Sequence, residues 1–185
     1  MLIHFAEYGK YAEITGYRNI IFQKAEAYLK IHRKQTNQTE LQFFDADLVA
    51  TRQHLYFAIL NALQAFRSKT NISKSIAMEM MLFASAQRQI QKAIEHIGIK
   101  PASSNLAVVI VGCDFQHITT QLVALSELFS SSSDESVLEI TPAKQQKIRS
   151  TFQIGDEEII LLKEPPQQSI VALVIERMAL LSTQV

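Results

Sequence analysis

From Leu48 to Phe66 the apolar residues Leu48, Leu55, Ile59, Ala62 and Phe66 recur at offsets that keep one stripe of a 3.6-residue helix facing inward. This spacing predicts a core helix. Asp45 and Asp47 stand just ahead of it, where a carboxylate accepts the N–H groups that a first turn leaves open, and Leu41-Gln42-Phe43-Phe44 before them reads as a strand. Thr70-Asn71-Ile72-Ser73 interrupts the pattern, with Ser73 placed to cap a second helix that carries Ile76, Met80, Phe83 and Ala84 on one side. An antiparallel helical pair follows. The periodicity then continues through Ile90, Ala93, Ile94 and Ile97, with a bend near Ser85-Ala86, until Gly98 ends it and Pro101 prevents resumption.

Around this centre the chain alternates strand and helix patterns. Leu2 to Tyr8 and Tyr11 to Tyr17, separated by Gly9-Lys10, predict an N-terminal hairpin. Asn19 is placed to cap a helix through Ile20, Ile21, Ala25, Tyr28, Leu29 and Ile31, and the polar tract from His32 to Gln38 reads as a surface loop. Leu106 to Cys113 is a continuous apolar run of strand length, expected in mid-sheet with both faces covered. Gln116 to Phe129 returns to helical spacing, and the serine-rich stretch from Ser130 to Ser136 reads as a mobile polar loop. Thr141-Pro142 opens another helix to about Phe152, in the order cap then proline. Asp156 to Leu162 fits either a short helix or an edge strand, because the apolar run is too short for periodicity to arbitrate. Pro165-Pro166 precedes a last helix that is apolar around more than half its circumference. The fold expected is α/β in the α+β sense: a single domain over residues 1–185, with a small, mostly antiparallel sheet packed against several helices, including the central hairpin and a C-terminal helix.

Composition adds little to this and charge adds more. With 48% apolar and 19% charged residues the chain is an ordinary globular domain, and no apolar run reaches the roughly 20 residues that span a bilayer. A cytoplasmic protein with no membrane contact is expected, and the lone Cys113 fits a reducing compartment. The net charge of zero conceals an asymmetry. Thr51 to Lys100 holds seven basic and two acidic residues, net +5, and Asp114 to Glu164 holds nine acidic and four basic, net −5. Separate faces would make one surface attract phosphates and the other repel them.

Candidate chemistry is sparse. The five glycines are too dispersed for a phosphate-binding loop, and neither a second cysteine nor a His-x₃-His pair supplies a zinc site. Cys113 and His117 form at most a minimal nucleophile pair, and a buried structural cysteine is the commoner outcome. His54 and His96 read as helix histidines. Glu79 and Arg88 are placed to pair across the bend, which leaves further guanidinium donors for a ligand. Lys69 in the helix-helix turn and Lys92 one turn after Arg88 can add charge for phosphate, while Gln89 and Ile90 offer hydrogen bonding and apolar contact to unstacked bases.

Asp45-Ala46-Asp47-Leu48-Val49 with His54, Ile72-Ser73, Glu79 and Ala86-Gln87-Arg88-Gln89-Ile90 ahead of Ala93-Ile94 and Ile97-Gly98 form a pattern. It resembles the regulatory subunit family of the archaeal and eukaryotic KEOPS complex. The resemblance extends to Phe152-Gln153-Ile154-Gly155-Asp156-Glu157-Glu158 and to Val174-Ile175-Glu176-Arg177-Met178-Ala179-Leu180-Leu181. Ala86 stands where that family often carries glycine, so the backbone at the bend is expected to differ. The resemblance implies a non-enzymatic chain without a cofactor. It would bind the single-stranded 3′ CCA end of tRNA for threonylcarbamoyladenosine formation, and would dock on the kinase-like ATPase subunit and through it on the threonylcarbamoyltransferase. Arg88, Gln89 and Ile90, with Lys69 and Lys92, would meet RNA; Ile170, Val174, Arg177, Met178 and Leu181 would meet the ATPase. A purely allosteric activator without RNA contact is the alternative.

Overall fold

Strands β1 (Ile3–Phe5), β2 (Lys10–Tyr17), β3 (Thr39–Asp45) and β4 (Leu106–Gly112) pair antiparallel in the order β1-β2-β4-β3. They belong to a computed structural model that describes residues 2–34 and 38–181. β4 is central and wholly buried because its alternate side chains serve two cores. Val109 and Val111 point to one side, and Val108 and Ile110 to the other. On the second side lie α1 (Phe22–Lys34) and α5 (Phe115–Phe129). The first side carries the larger core, built with α2 (Arg52–Ser68), α3 (Ile76–Ser85), α4 (Ile90–Ile97), α6 (Pro142–Phe152) and α8 (Pro166–Leu180). α7 (Asp156–Leu161) buries none of its residues.

Several local expectations hold. Thr141 accepts from the Lys144 amide and starts α6, and Asp45 accepts from the Asp47 amide, although it caps a short 3-10 turn (Ala46–Leu48) ahead of α2. Others are corrected. The first N-terminal strand is cut short at Phe5, because Ala6–Tyr8 forms a 3-10 turn closed by Gly9 at φ 58°. Asn19 takes a left-handed conformation, and α1 starts only at Phe22. α1 also runs through His32 and Arg33 to Lys34; residues 35–37 of the expected loop lie outside the described residues. Ser75, not Ser73, caps α3 by accepting from Met78. Residues 156–161 are helical, because the Glu158 side chain accepts from the Gly155 amide and closes the first turn. The serine-rich stretch is anchored: the Asp134 amide donates to the Gly16 carbonyl, and Arg18 reaches Asp134 and Ser136. Val137 sits so close to Gly16 that an added Cβ would lie 2.0 Å from it, so only glycine fits there.

The expected bend after Ser85 is a full break. The Ala86 amide donates to the Phe83 carbonyl and the Gln87 amide to the Leu82 carbonyl, a Schellman closure that needs Ala86 in the left-handed region at φ 52°. Alanine holds here the conformation that glycine adopts without steric cost. Behind the break, His54 is fully buried: its Nδ1 accepts from the Ala50 amide at 3.3 Å and its Nε2 donates to the Ala84 carbonyl at 2.8 Å. These bonds tie the start of α2 to the end of α3.

Ala86→Gly relieves the left-handed strain and should raise unfolding free energy by about 1 kcal/mol at an unchanged denaturant slope. A decrease would show that the closure carries no strain. Burial pushes the His54 imidazole down from 6.5 to about 4. The unfolded chain therefore takes up the proton first, and the stability His54 contributes, complete above 6.5, is lost as pH falls toward 4. Between pH 7 and pH 5 this amounts to about 2 kcal/mol. His54→Gln should flatten the pH dependence of the denaturant midpoint by that amount, and an unchanged slope would contradict the assignment.

Candidate functional site

α2 turns the polar side chains Asn61, Gln64 and Ser68 away from its apolar stripe, at spacings that share one helix face. That face borders a cavity of about 380 Å³, completed by Thr70 and Ile72 of the following loop, Glu79 and Phe83 of α3, Arg88 of the connector and Leu181. The loop keeps its shape because Glu79, only 1% exposed, accepts from the Ile72 amide at 3.0 Å and the Ser73 amide at 2.7 Å. Glu79 is thus held by backbone groups instead of by the expected pairing with Arg88. Ser68 and Thr70 hydroxyls lie 3.1 Å apart. On the open side, the Tyr8 hydroxyl donates to Gln64 Oε1 at 2.8 Å, and Arg67, paired with Glu7, lies over the Tyr8 ring. The guanidinium of Arg88 is exposed at the rim and donates to the Leu181 carbonyl at 3.4 Å.

The cavity is therefore polarised. A carboxylate lies at its inner wall, a guanidinium at its edge, and apolar Ala65, Ile72, Phe83 and Leu181 stand between. Such a slot admits a flat, partly apolar group whose outer end is anionic. Among the five residues expected at RNA, Arg88 lines the cavity, and Lys69 sits beside it as the left-handed C-cap of α2, exposed. Gln89, Ile90 and Lys92 are exposed at the start of α4 but do not line it. Arg88 faces solvent because it follows the break at Ala86, not because of its position around a continuous helix. The spacing of Asn61, Gln64 and Ser68 is a periodic polar stripe that by itself reads as an ordinary solvated face.

The residues expected at the ATPase need correction. Ile170, Val174, Met178 and Leu181 are each at most 2% exposed, inside the chain's own core, and Arg177 is tied to Glu158 at 2.7 Å. α8 uses that face to close the first core. The outward apolar surface is elsewhere: Ile160 and Leu161 of α7 are 72% and 77% exposed, with Leu162 beside them. A groove of about 500 Å³ lies between Thr51, Ile140, Glu164 and the Val171, Ala172 and Ile175 side of α8.

The remaining candidates do not line this cavity. Cys113 is exposed and not buried, and it contacts Lys10 Nζ at 2.9 Å. His96 packs edge-on against Phe152, and among the described residues its buried Nδ1 has no partner. The basic segment is partly neutralised by ion pairs, Arg52 with Glu135 and Arg67 with Glu7, whereas in the acidic segment Asp134 meets Arg18 and Asp156 meets Arg149. Among the described residues no helix is long and apolar enough to cross a membrane.

The chain is 36% identical over 115 residues to a protein of Methanocaldococcus jannaschii named regulatory protein Cgi121, a match covering 62% of this chain and 71% of that one. Residues 17–182 match the family described as kinase binding protein CGI-121, which takes in α1 through α8 and the strands β3 and β4. With the match reaching across both cores and the cavity, this chain belongs to the CGI-121 family of kinase-binding regulatory proteins.

Proposed function

We propose that this chain is a non-catalytic regulatory subunit of a KEOPS complex in the cytoplasm. It docks on the kinase-like ATPase, and through it on the threonylcarbamoyltransferase, and it captures the single-stranded 3′ CCA end of tRNA. The observation that carries the RNA part is the polarity of the α2–α3 cavity: an unstacked base enters between Ile72, Phe83 and Leu181, and its phosphate stays outside at Arg88. Lys69, exposed between the cavity-lining Ser68 and Thr70, joins Arg88 at the RNA backbone, while Gln89, Ile90 and Lys92 line the approach from α4. Docking falls to the α7–α8 face, where Ile160, Leu161 and Leu162 project from an acidic surround of Asp156, Glu157 and Glu164. That face replaces the buried set first expected on α8. RNA and partner then occupy different surfaces.

Two substitutions separate the faces. Arg88→Glu should weaken binding of a CCA-ended RNA to the isolated protein by on the order of 10–100-fold, as expected for losing a charge-assisted contact, while leaving association with the ATPase intact. Equal affinity for RNAs with and without the CCA end in the unmodified protein would favour the purely allosteric alternative. Ile160→Asp with Leu161→Asp should lower affinity for the ATPase by about tenfold or more and leave RNA titrations unchanged. Retained association would move docking off α7.

A further inference from the structure

β3 is an edge of the sheet, and residues of α1, α3 and α4 join Gln42 and Phe43 of that strand around a cleft of about 200 Å³. We propose that this cleft is a binding site for a small monocarboxylate with a branched or aromatic body, and that Arg33 and Gln42 hold the carboxylate. It shares no lining residue with the cavity between α2 and α3.

The walls are apolar. Phe22 and Leu29 of α1, Phe43 of β3, Met81 of α3 and Ile94 of α4 line them, with Ile99 beyond the end of α4. The space of roughly seven waters is smaller than a drug-sized site, so it suits one six-membered ring or a short branched chain. Two side chains form the polar end. Gln42 is only 1% exposed; its Oε1 accepts from the Arg33 guanidinium at 2.9 Å, and its Nε2 donates to the Phe43 carbonyl at 3.0 Å. Those two bonds agree on how the amide is turned, and they leave its second N–H without a partner among the described residues. A donor buried in that way gains by meeting an acceptor.

Arg33 brings an unmatched charge. Of the nearby acids, Glu26 pairs with Lys30 at 2.9 Å, and Glu40, two residues before Gln42, accepts from the Ala77 amide at 3.1 Å. Among the described residues Arg33 has Gln42 as its hydrogen-bond partner and forms no ion pair. Burial pushes its pKa below the ordinary arginine value, as expected for a cation drawn out of water with no counter-ion beside it. A carboxylate supplies that counter-ion, together with the planar pair of acceptors that a guanidinium fork matches. A dianion such as phosphate fits less well, because Glu26 also lines the cleft and repels the second charge. The bond from Arg33 to Gln42 ties α1 to the edge strand, so a peptide could not add there as a fifth strand without breaking it.

Benzoate and benzamide share a shape and differ in charge, so comparing them on the full chain isolates the polar end. Followed by ¹³C-methyl NMR, benzoate should shift Leu29, Met81, Ile94 and Ile99, leave Ile72 and Leu181 unmoved, and bind on the order of tenfold or more tighter than benzamide. Arg33→Met, at an exposed position, should lower benzoate to the affinity of benzamide and leave benzamide unchanged. Arg33→Lys should restore only part of the difference, since it keeps the charge without the fork. Equal affinity for acid and amide, shifts confined to other surfaces, or benzoate binding that survives Arg33→Met overturns the site. Titration with 4-methylpentanoate and with a peptide ending in leucine separates a free acid from a chain terminus. Tighter binding of the peptide overturns the small-acid assignment.

Discussion

The hydrogen bond from His54 Nε2 to the Ala84 carbonyl is the constraint on which the candidate site depends. It is fully buried, it joins the first turn of α2 to the last of α3, and its loss would leave a carbonyl without a partner at a cost of about 1–3 kcal/mol. The neutral imidazole required there follows from its surroundings, since burial and the nearby Lys144 charge both oppose protonation. With the ends of α2 and α3 so tied, Asn61, Gln64 and Ser68 of α2 line one cavity with Glu79 of α3. Directly beyond Ala84 the chain turns left-handed at Ala86, which delivers Gln87 and Arg88 to the surface. One buried bond and one strained residue thus set the two walls and the rim of the cavity.

The same economy governs the opposite side of the molecule. α8 spends its inner face on the core, through Ile170, Val174, Met178 and Leu181, and places Leu181 at the cavity wall with its carbonyl near Arg88. Its outer side, together with α7, carries the apolar residues that the fold itself leaves uncovered. The acids in the first turn of α7 give this apolar surface a negative rim. Exposed basic groups lie at the turn after α2 and at the start of α4.

Much of this was legible in the residues. The unbroken apolar run of β4 could only be a mid-sheet strand, the α2 stripe could only face inward, and Thr141-Pro142 announced α6. The cap of α3 was displaced by two residues because Ser73 and Ser75 are equivalent on paper, and only the Glu79 carboxylate, by claiming the Ser73 amide, decides between them. A bend at Ser85-Ala86 was legible, but not that it is a full break, since alanine is seldom the residue of a left-handed closure. Lys69, Ser130 and Gln153 share that conformation as the C-caps of α2, α5 and α6, so these three ends are not marked by glycine, whereas α4 ends at Gly98. The faces of α8 were illegible for another reason: a helix apolar on most sides does not say which side its own core takes. The cavity lay hidden because Asn61, Gln64 and Ser68 look like a solvated face until α3 is set opposite them.

The most direct test of this account watches the cavity wall itself. In a protein carrying ¹³C-labelled Ile, Leu and Val methyl groups, addition of a short RNA ending in CCA should shift the signals of Ile72 and Leu181, with Val123 on α5 unmoved. Shifts at α5, or at the α4 start alone with Ile72 and Leu181 silent, would place the RNA elsewhere and contradict the site.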